Sequence, residues 1–581
     1  MNRTKLFWIF LLFIAAPIAC RTPYYSPGED KTKRGSLNSF TNRITNRYTP
    51  EEHKKLGISY AEKGMTEEAF EELKLASQGL PKDAELHHYF GKVFLENNKP
   101  DEAIAEILAA ISYYQPVQTK EKADAYHDLG MAYKLKNMLP DALSALKTSL
   151  ELNPASADIH YTAGVLYYKK NMLDKALNHL EKSNEIKPDK ANTHFTLGLI
   201  YYTKGIYETS ANEFKKALQL NPMDEEAHNY LGLIYQKKGA IEESIREYKT
   251  AIRLNNGYLE AYNNLGIAFY EIHDFQGAAD ALKKALELDP YFAEAYFNLG
   301  VVYSKQNLLK DAVTALEQAL SLNPKIAKAH FVLGGIYTKN NMLEQALSEY
   351  EKAITINPNY GEAYYHYAEL NAMKENHIKS IAAWKRTIEL DSQNTDAYFN
   401  LGIAYYNKGN LDEAIALWNK VIGINPADYD ALTNLANTYE KKGLSDKAIS
   451  IWEKITEIYP GLTEIYNRLG YAYIKKHMYK AAILQWEKAL EADPYYANTY
   501  YNLGLVYQLT GMQEEAIEAY KKVLEINTED VDARRNLGFI YKEKGMDIEA
   551  ESEFAIIKML ESSQHPTVLE NENEQASLLV K

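Results

Sequence analysis

The chain has 581 residues, 79 acidic against 65 basic, a net charge of −14 and one cysteine. The acidic balance, with no Lys/Arg-rich run in the body of the chain, excludes a protein that grips a phosphate backbone through a basic stripe, and no nucleic-acid partner is expected. A single cysteine excludes an internal disulfide framework. The 47 tyrosines make sense only once their positions are read.

Residues 1–20 run M-N-R-T-K-L-F-W-I-F-L-L-F-I-A-A-P-I-A-C. Arg3 and Lys5 precede an apolar run over 6–19, shorter than the ~20 residues a membrane span needs and of the length of a secretory signal. With Ala19 before Cys20, the stretch resembles a bacterial lipoprotein signal, although Pro17 stands where leucine is usual. That resemblance implies removal of residues 1–19 and a palmitate-type lipid on Cys20. It implies a membrane anchor too, on the periplasmic side or at the outer membrane rather than in the cytoplasm. Residues 20–49 then hold the lipidated cysteine and a polar, Pro/Gly-containing tether, which as a random coil spans on the order of 30 Å.

From Pro50 the chain repeats. In residues 293–326, Tyr296, Leu299, Gly300 and Tyr303 recur at helical spacing, Asn307 ends that helix, and Ala312, Leu316 and Ala319 make the stripe of a second one. Asparagine tolerates the left-handed backbone that ends a helix. Asn323-Pro324 ends the second helix, since a residue before proline is pushed out of the helical region. Neither helix buries its stripe alone, and a 34-residue helix pair that needs neighbours is the unit of a solenoid. The glycine recurs every 34 residues, for example at Gly164, Gly198, Gly232, Gly266, Gly300 and Gly334, with Ala368 and Ala436 filling gaps in the series. Fifteen units follow, beginning near Pro50, Ala84 and Ala123 and then every 34 residues to Val531. Five extra residues around Tyr114 to Thr119 read as a longer loop before the third unit. Trp384, Trp418, Trp452 and Trp486 occupy one repeat position in four successive units.

This pattern of aromatic, Leu-Gly, Tyr, Ala, aromatic, Ala and Pro resembles the tetratricopeptide repeat (TPR) family over residues 50–562. The resemblance implies an all-α, right-handed superhelical solenoid of about fifteen helix-turn-helix units. The tenth unit departs most, with Ala368 for Gly, Asn371 for Tyr and Ser380 for Ala. There a hydroxyl falls where a small apolar side chain is usual between helices.

In the family, positions 2, 5, 9 and 12 of each first helix line the concave surface. Here position 5 carries Tyr161, Phe195, Phe297, Phe331, Tyr365, Phe399 and Tyr501, and position 12 carries Tyr202 among others. Aromatic rings suit a protein-binding groove, since they give large contact area at low entropy cost. Packing between adjacent first helices explains the same rings equally well. Position 6 carries Asn264, Asn298, Asn400, Asn434 and Asn502. A similar asparagine ladder lines the superhelix of O-linked N-acetylglucosamine transferase, and an amide that both donates and accepts can hold main chain of any sequence.

Chemistry is missing from the pattern. There is no Gly-rich phosphate loop or His-Glu-x-x-His, and the 14 histidines look scattered, so no catalytic residue, metal or cofactor is expected. Residues 563–581 leave room for an acidic tail or a short capping helix only. The function expected is a non-enzymatic protein–protein interaction scaffold of the bacterial cell envelope, with envelope-assembly proteins or extended peptides as partners. The alternative is a groove for peptide or glycan chains, as in polysaccharide export or in the transferase superhelix without its catalytic domain.

Overall fold

The computed structural model describes residues 48–564, so the signal, Cys20, the tether and residues 565–581 lie outside the described residues. Thirty helices and no strand occur among the described residues, arranged as fifteen consecutive pairs. The fold is an all-α repeat solenoid. The chain divides into two compact units, one ending at Asn264 and the other starting at Leu265.

Each pair is built alike. In the fourth, the first helix is Ala157–Lys169 and the second Leu173–Ile186. Ser156 caps the first by accepting from the Ile159 N–H, which satisfies one of the amides a helix start leaves unpaired. The turn between helices needs one left-handed residue, filled by asparagine at Asn307 (φ 61°) and by glycine at Gly205 (φ 74°). Asn323 ends its helix in extended backbone (φ −139°, ψ 93°), as its proline neighbour requires.

The repeating glycine marks where the two helices of a pair touch. A Cβ added to Gly164 would lie 2.6 Å from Leu180 Cγ, and one on Gly402 would lie 2.6 Å from Trp418 Nε1. Only hydrogen fits at that distance unless the facing side chain shifts. Between pairs, the second helix packs on the next first helix. Ala414, Trp418 and Val421 are buried against Ala431 and Leu435, and Ala142 and Leu146 against Ile159, Ala163 and Leu166. Exposed lysine–carboxylate bridges such as Lys204–Asp174 (2.6 Å) and Lys442–Asp412 recur across these joints. Each is worth at most about 1 kcal/mol, so burial and not charge holds neighbours together.

One expectation changes. The extra residues before the third unit are not a longer loop: its first helix begins at Thr119, one turn ahead of Ala123, and runs to Leu135. Tyr114 is buried there beside His88 Nδ1 at 3.1 Å, and His88 Nε2 reaches Asp128 at 2.8 Å. Burial would raise the Asp128 carboxyl, but hydrogen bonds from His127 and His88 hold it well below the usual carboxylate range. The insertion therefore ties the second and third pairs together. In the tenth pair, the polar substitutions are satisfied. Asn371 Nδ2 donates to the Tyr367 carbonyl at 2.8 Å, and the Ser380 hydroxyl to the His377 carbonyl at 3.1 Å.

Candidate functional site

The position-6 asparagines and position-5 side chains meet each other. Asn264 Nδ2 donates to Asn229 Oδ1 at 3.0 Å, and Asn400 Nδ2 donates to the Tyr365 hydroxyl at 3.1 Å. Asn536 Nδ2 donates to the Tyr501 hydroxyl at 3.3 Å, and His127 Nε2 lies 2.9 Å from the Thr162 hydroxyl. In the first three the bond runs from position 6 of one pair to position 5 of the pair before it, 35 residues back. Where rings replace amides the rung is aromatic: Phe195 meets Tyr230 edge-on at 6.2 Å, and Phe331 meets His366 at 5.8 Å.

The remaining predicted residues fall into the same joints. Phe331 is buried, with Tyr350 and Tyr360 also against it. Phe297, Phe399 and Tyr161 are half-buried against neighbouring cores. Tyr202 packs edge-on against Tyr207 and Tyr230, and burial followed by the Tyr207 charge pushes its hydroxyl up to about 12. Asn434 turns back to its own helix, donating to the Asp430 carbonyl at 2.9 Å. Buried Asn502 accepts from the Tyr471 hydroxyl at 2.7 Å, and Asn298 is also buried. Four of the five named ladder amides, those of Asn264, Asn400, Asn434 and Asn502, are thus engaged inside the fold.

A different set is open to solvent. Position 9 of the last three pairs carries Tyr471 (50% exposed), Leu505 (37%) and Phe539 (49%), with Leu509 beside them at 69%. The same position is buried upstream, at Leu199, Leu233 and Val301. The difference lies at position 12 of the preceding pair. Leu199 belongs to a core against which Tyr168 and Tyr202 of position 12 pack. Each of the three buried residues follows a pair with tyrosine at position 12, namely Tyr168, Tyr202 and Tyr270, whereas the pairs before Tyr471, Leu505 and Phe539 carry Glu440, Ile474 and Gln508 there. Sequence reasoning placed position 9 on the concave stripe but singled out only the rings and amides of positions 5, 6 and 12, so these residues were passed over. The signal was three apolar residues in succession at position 9, each following a pair without tyrosine at position 12.

Six of the 14 histidines recur at one repeat position. Position 4 pairs with a residue 19 further on: His53 with Glu72, His87 with Glu106, His194 with Glu213 and His228 with Glu247, all at 2.6 Å, and His330 with Glu349 at 2.5 Å. In the fourth pair the glutamate is replaced by His179. Among the described residues no group of three or more His, Cys, Asp or Glu side chains is placed to hold a metal ion. No described helix is long and apolar enough to cross a membrane.

Fifteen helix pairs in register among the described residues define a repeat scaffold of the class that binds other proteins. The chain belongs to the tetratricopeptide repeat family. TPR repeat models match residues 166–205, 200–239, 234–272 and 273–307, and further tetratricopeptide models match 430–461 and 462–529. Residues 302–428 match the TPR domain of cytochrome c-type biogenesis protein H. No curated protein matches the chain. Among solved structures, MamA is 32% identical, covering 29% of this chain and 98% of its own, with a TM-score of 0.27. YrrB, described as a TPR protein with an unusual peptide-binding site, is 27% identical over 32% of this chain and 96% of its own (TM-score 0.29). The APC/C hetero-tetramer Cut9–Hcn1 is 18% identical over 80% of this chain and 97% of its own (TM-score 0.33).

Proposed function

We propose that this chain is a non-enzymatic scaffold of the bacterial cell envelope that seats partner proteins on Tyr471, Leu505 and Phe539. The observation that carries the reading is their exposure in three successive pairs, on the stripe that lines the concave surface in the family. An apolar strip open to water at a position that is buried or half-buried in the preceding pairs is a contact surface waiting for a partner. Arg468, Lys475 and Arg535 beside it are ion-paired with Glu464, Glu440 and Asp532, giving a salt-bridged polar rim around an apolar centre, which favours partners that dock through apolar anchors. The envelope setting is supported by the apolar run ending at Cys20 and by the match of residues 302–428 to a biogenesis protein's TPR domain.

The amides of Asn264, Asn400, Asn434 and Asn502 each spend one donor or acceptor inside the fold, so the alternative, a ladder that grips bare peptide or glycan, has only their remaining donors and acceptors to work with. Two measurements test the reading. Leu505→Ser with Phe539→Ser should weaken partner binding at least tenfold while leaving the helical content unchanged; undiminished binding by the folded double variant overturns the site. Cys20→Ser should abolish fatty-acid labelling and release the chain from membranes, and unchanged labelling overturns the anchor.

A further inference from the structure

The fourth pair breaks the histidine–glutamate rule, and the break creates a different chemistry. His160 Nδ1 and His179 Nδ1 face each other at 3.0 Å, one from each helix of the pair. His160 Nε2 lies 3.1 Å from the Pro154 carbonyl. A carbonyl only accepts, so Nε2 carries the hydrogen, and the neutral ring presents its Nδ1 lone pair to His179. In the first, second, fifth, sixth and ninth pairs a carboxylate at this point asks Nδ1 to carry a proton. Here a second imidazole stands in its place, and two such nitrogens share either one proton or one cation.

We propose that His160 and His179 form a two-imidazole chelate for a divalent first-row transition ion, copper(II) before nickel(II) or zinc(II), clamping the two helices of the fourth pair. With metal–nitrogen bonds of about 2.0 Å, nitrogens 3.0 Å apart subtend roughly 90–100° at the ion. That is the cis angle of a square plane, the geometry copper(II) and nickel(II) prefer, and is narrower than a tetrahedron. The remaining positions fall to water, since His160 is buried but His179 is only partly so. The Pro154 carbonyl does for His160 what outer partners do for metal-bound histidines generally, fixing the tautomer and the ring. Tyr167 stacks on His179 at 5.3 Å and is itself covered by Lys175, 5.6 Å from its ring centre. Burial depresses the proton affinity of both imidazoles, and Lys182 depresses it further. His160 offers its Nδ1 lone pair directly, and His179 offers its own once its Nδ1 hydrogen passes to Nε2 or to water, while Lys182 disfavours any cation held only by charge and leaves the advantage to ions that bond covalently to nitrogen.

The test uses the full chain and copper(II) alone. His179→Glu installs the residue type found in the other pairs, so the fold is kept and a histidine–carboxylate pair replaces the chelate. Wild type should bind one copper at least tenfold more tightly than any other site, with an electron paramagnetic resonance spectrum coupled to two imidazole nitrogens and a rise in melting temperature. His179→Glu should lose all three, and His194→Gln, which leaves the pair intact, should lose none. Equal tight binding by wild type and His179→Glu, or a tight site lost only in His194→Gln, overturns the proposal. So does the absence of any tight copper site in wild type.

Discussion

The Asn400 amide donates to the Tyr365 hydroxyl at 3.1 Å, joining position 6 of the eleventh pair to position 5 of the tenth. Both side chains are half-buried, so the bond stabilises the joint and is not a hook for a ligand. Asn400→Ala should lower stability by about 1 kcal/mol, the net worth of such a hydrogen bond. Partner binding should be unchanged. Denaturant unfolding combined with a binding titration checks both halves.

Phe331 reads from the sequence as part of a concave aromatic strip, yet it is buried among Tyr350, Tyr360 and His366. Phe331→Ala should cost about 3 kcal/mol of stability, as for a buried phenylalanine. A loss of partner affinity without a loss of stability would show that the ring is a contact residue.

The tenth pair offers a change in the other direction. The Trp384 Nε1–H is buried with no partner. Twelve residues before the equivalent side chain, Glu440 accepts from Trp452 at 2.9 Å and Gln236 from Tyr248 at 2.9 Å, whereas Trp384 finds Ala372 there. Ala372→Gln should supply the acceptor and raise stability by about 1 kcal/mol, read as slower hydrogen exchange over residues 361–390.

How much of this was legible follows from what periodicity encodes. The 34-residue register, the left-handed turn at Asn307 and the repeating glycine at Gly402 were all readable, because each is dictated by backbone geometry within one unit. Which residues face water was not, because that depends on neighbours a whole unit away. Leu199 and Leu505 hold the same position and look alike in sequence, yet the rings of Tyr168 and Tyr202 pack on the core of the first. The asparagine ladder misled for the same reason: Asn264 is answered by Asn229, 35 residues earlier. The histidine ladder went unseen because its signal is a pair spacing of 19 crossing two helices.

His179 gives the array a pH dependence of known sign. Burial first, and then the charges of His160 and Lys182, lower its folded value from 6.5 to about 4. Below pH 6.5 the unfolded chain takes up the proton and the folded chain does not, until about pH 4. The contribution is therefore complete above 6.5 and lost progressively between 6.5 and 4. His179→Glu should remove this component, so the stability difference between wild type and variant should shift in favour of the variant on going from about pH 7.5 to about pH 5. An unchanged difference, measured by urea unfolding without metal, would contradict the assignment.

The central claim is that partners sit on the exposed strip of the last three pairs. The most direct measurement places a photo-crosslinking amino acid at Leu505 or Phe539, and separately at Leu108, an exposed residue on a second helix far earlier in the chain. A buried aromatic or aliphatic anchor at such a contact is worth about 2 kcal/mol or more, so a bound partner spends nearly all its time within reach of the probe. The account predicts one partner band from Leu505 and Phe539, lost on adding excess uncrosslinked chain, and none from Leu108. A band from Leu108 alone, or equal bands from all three positions, would contradict it.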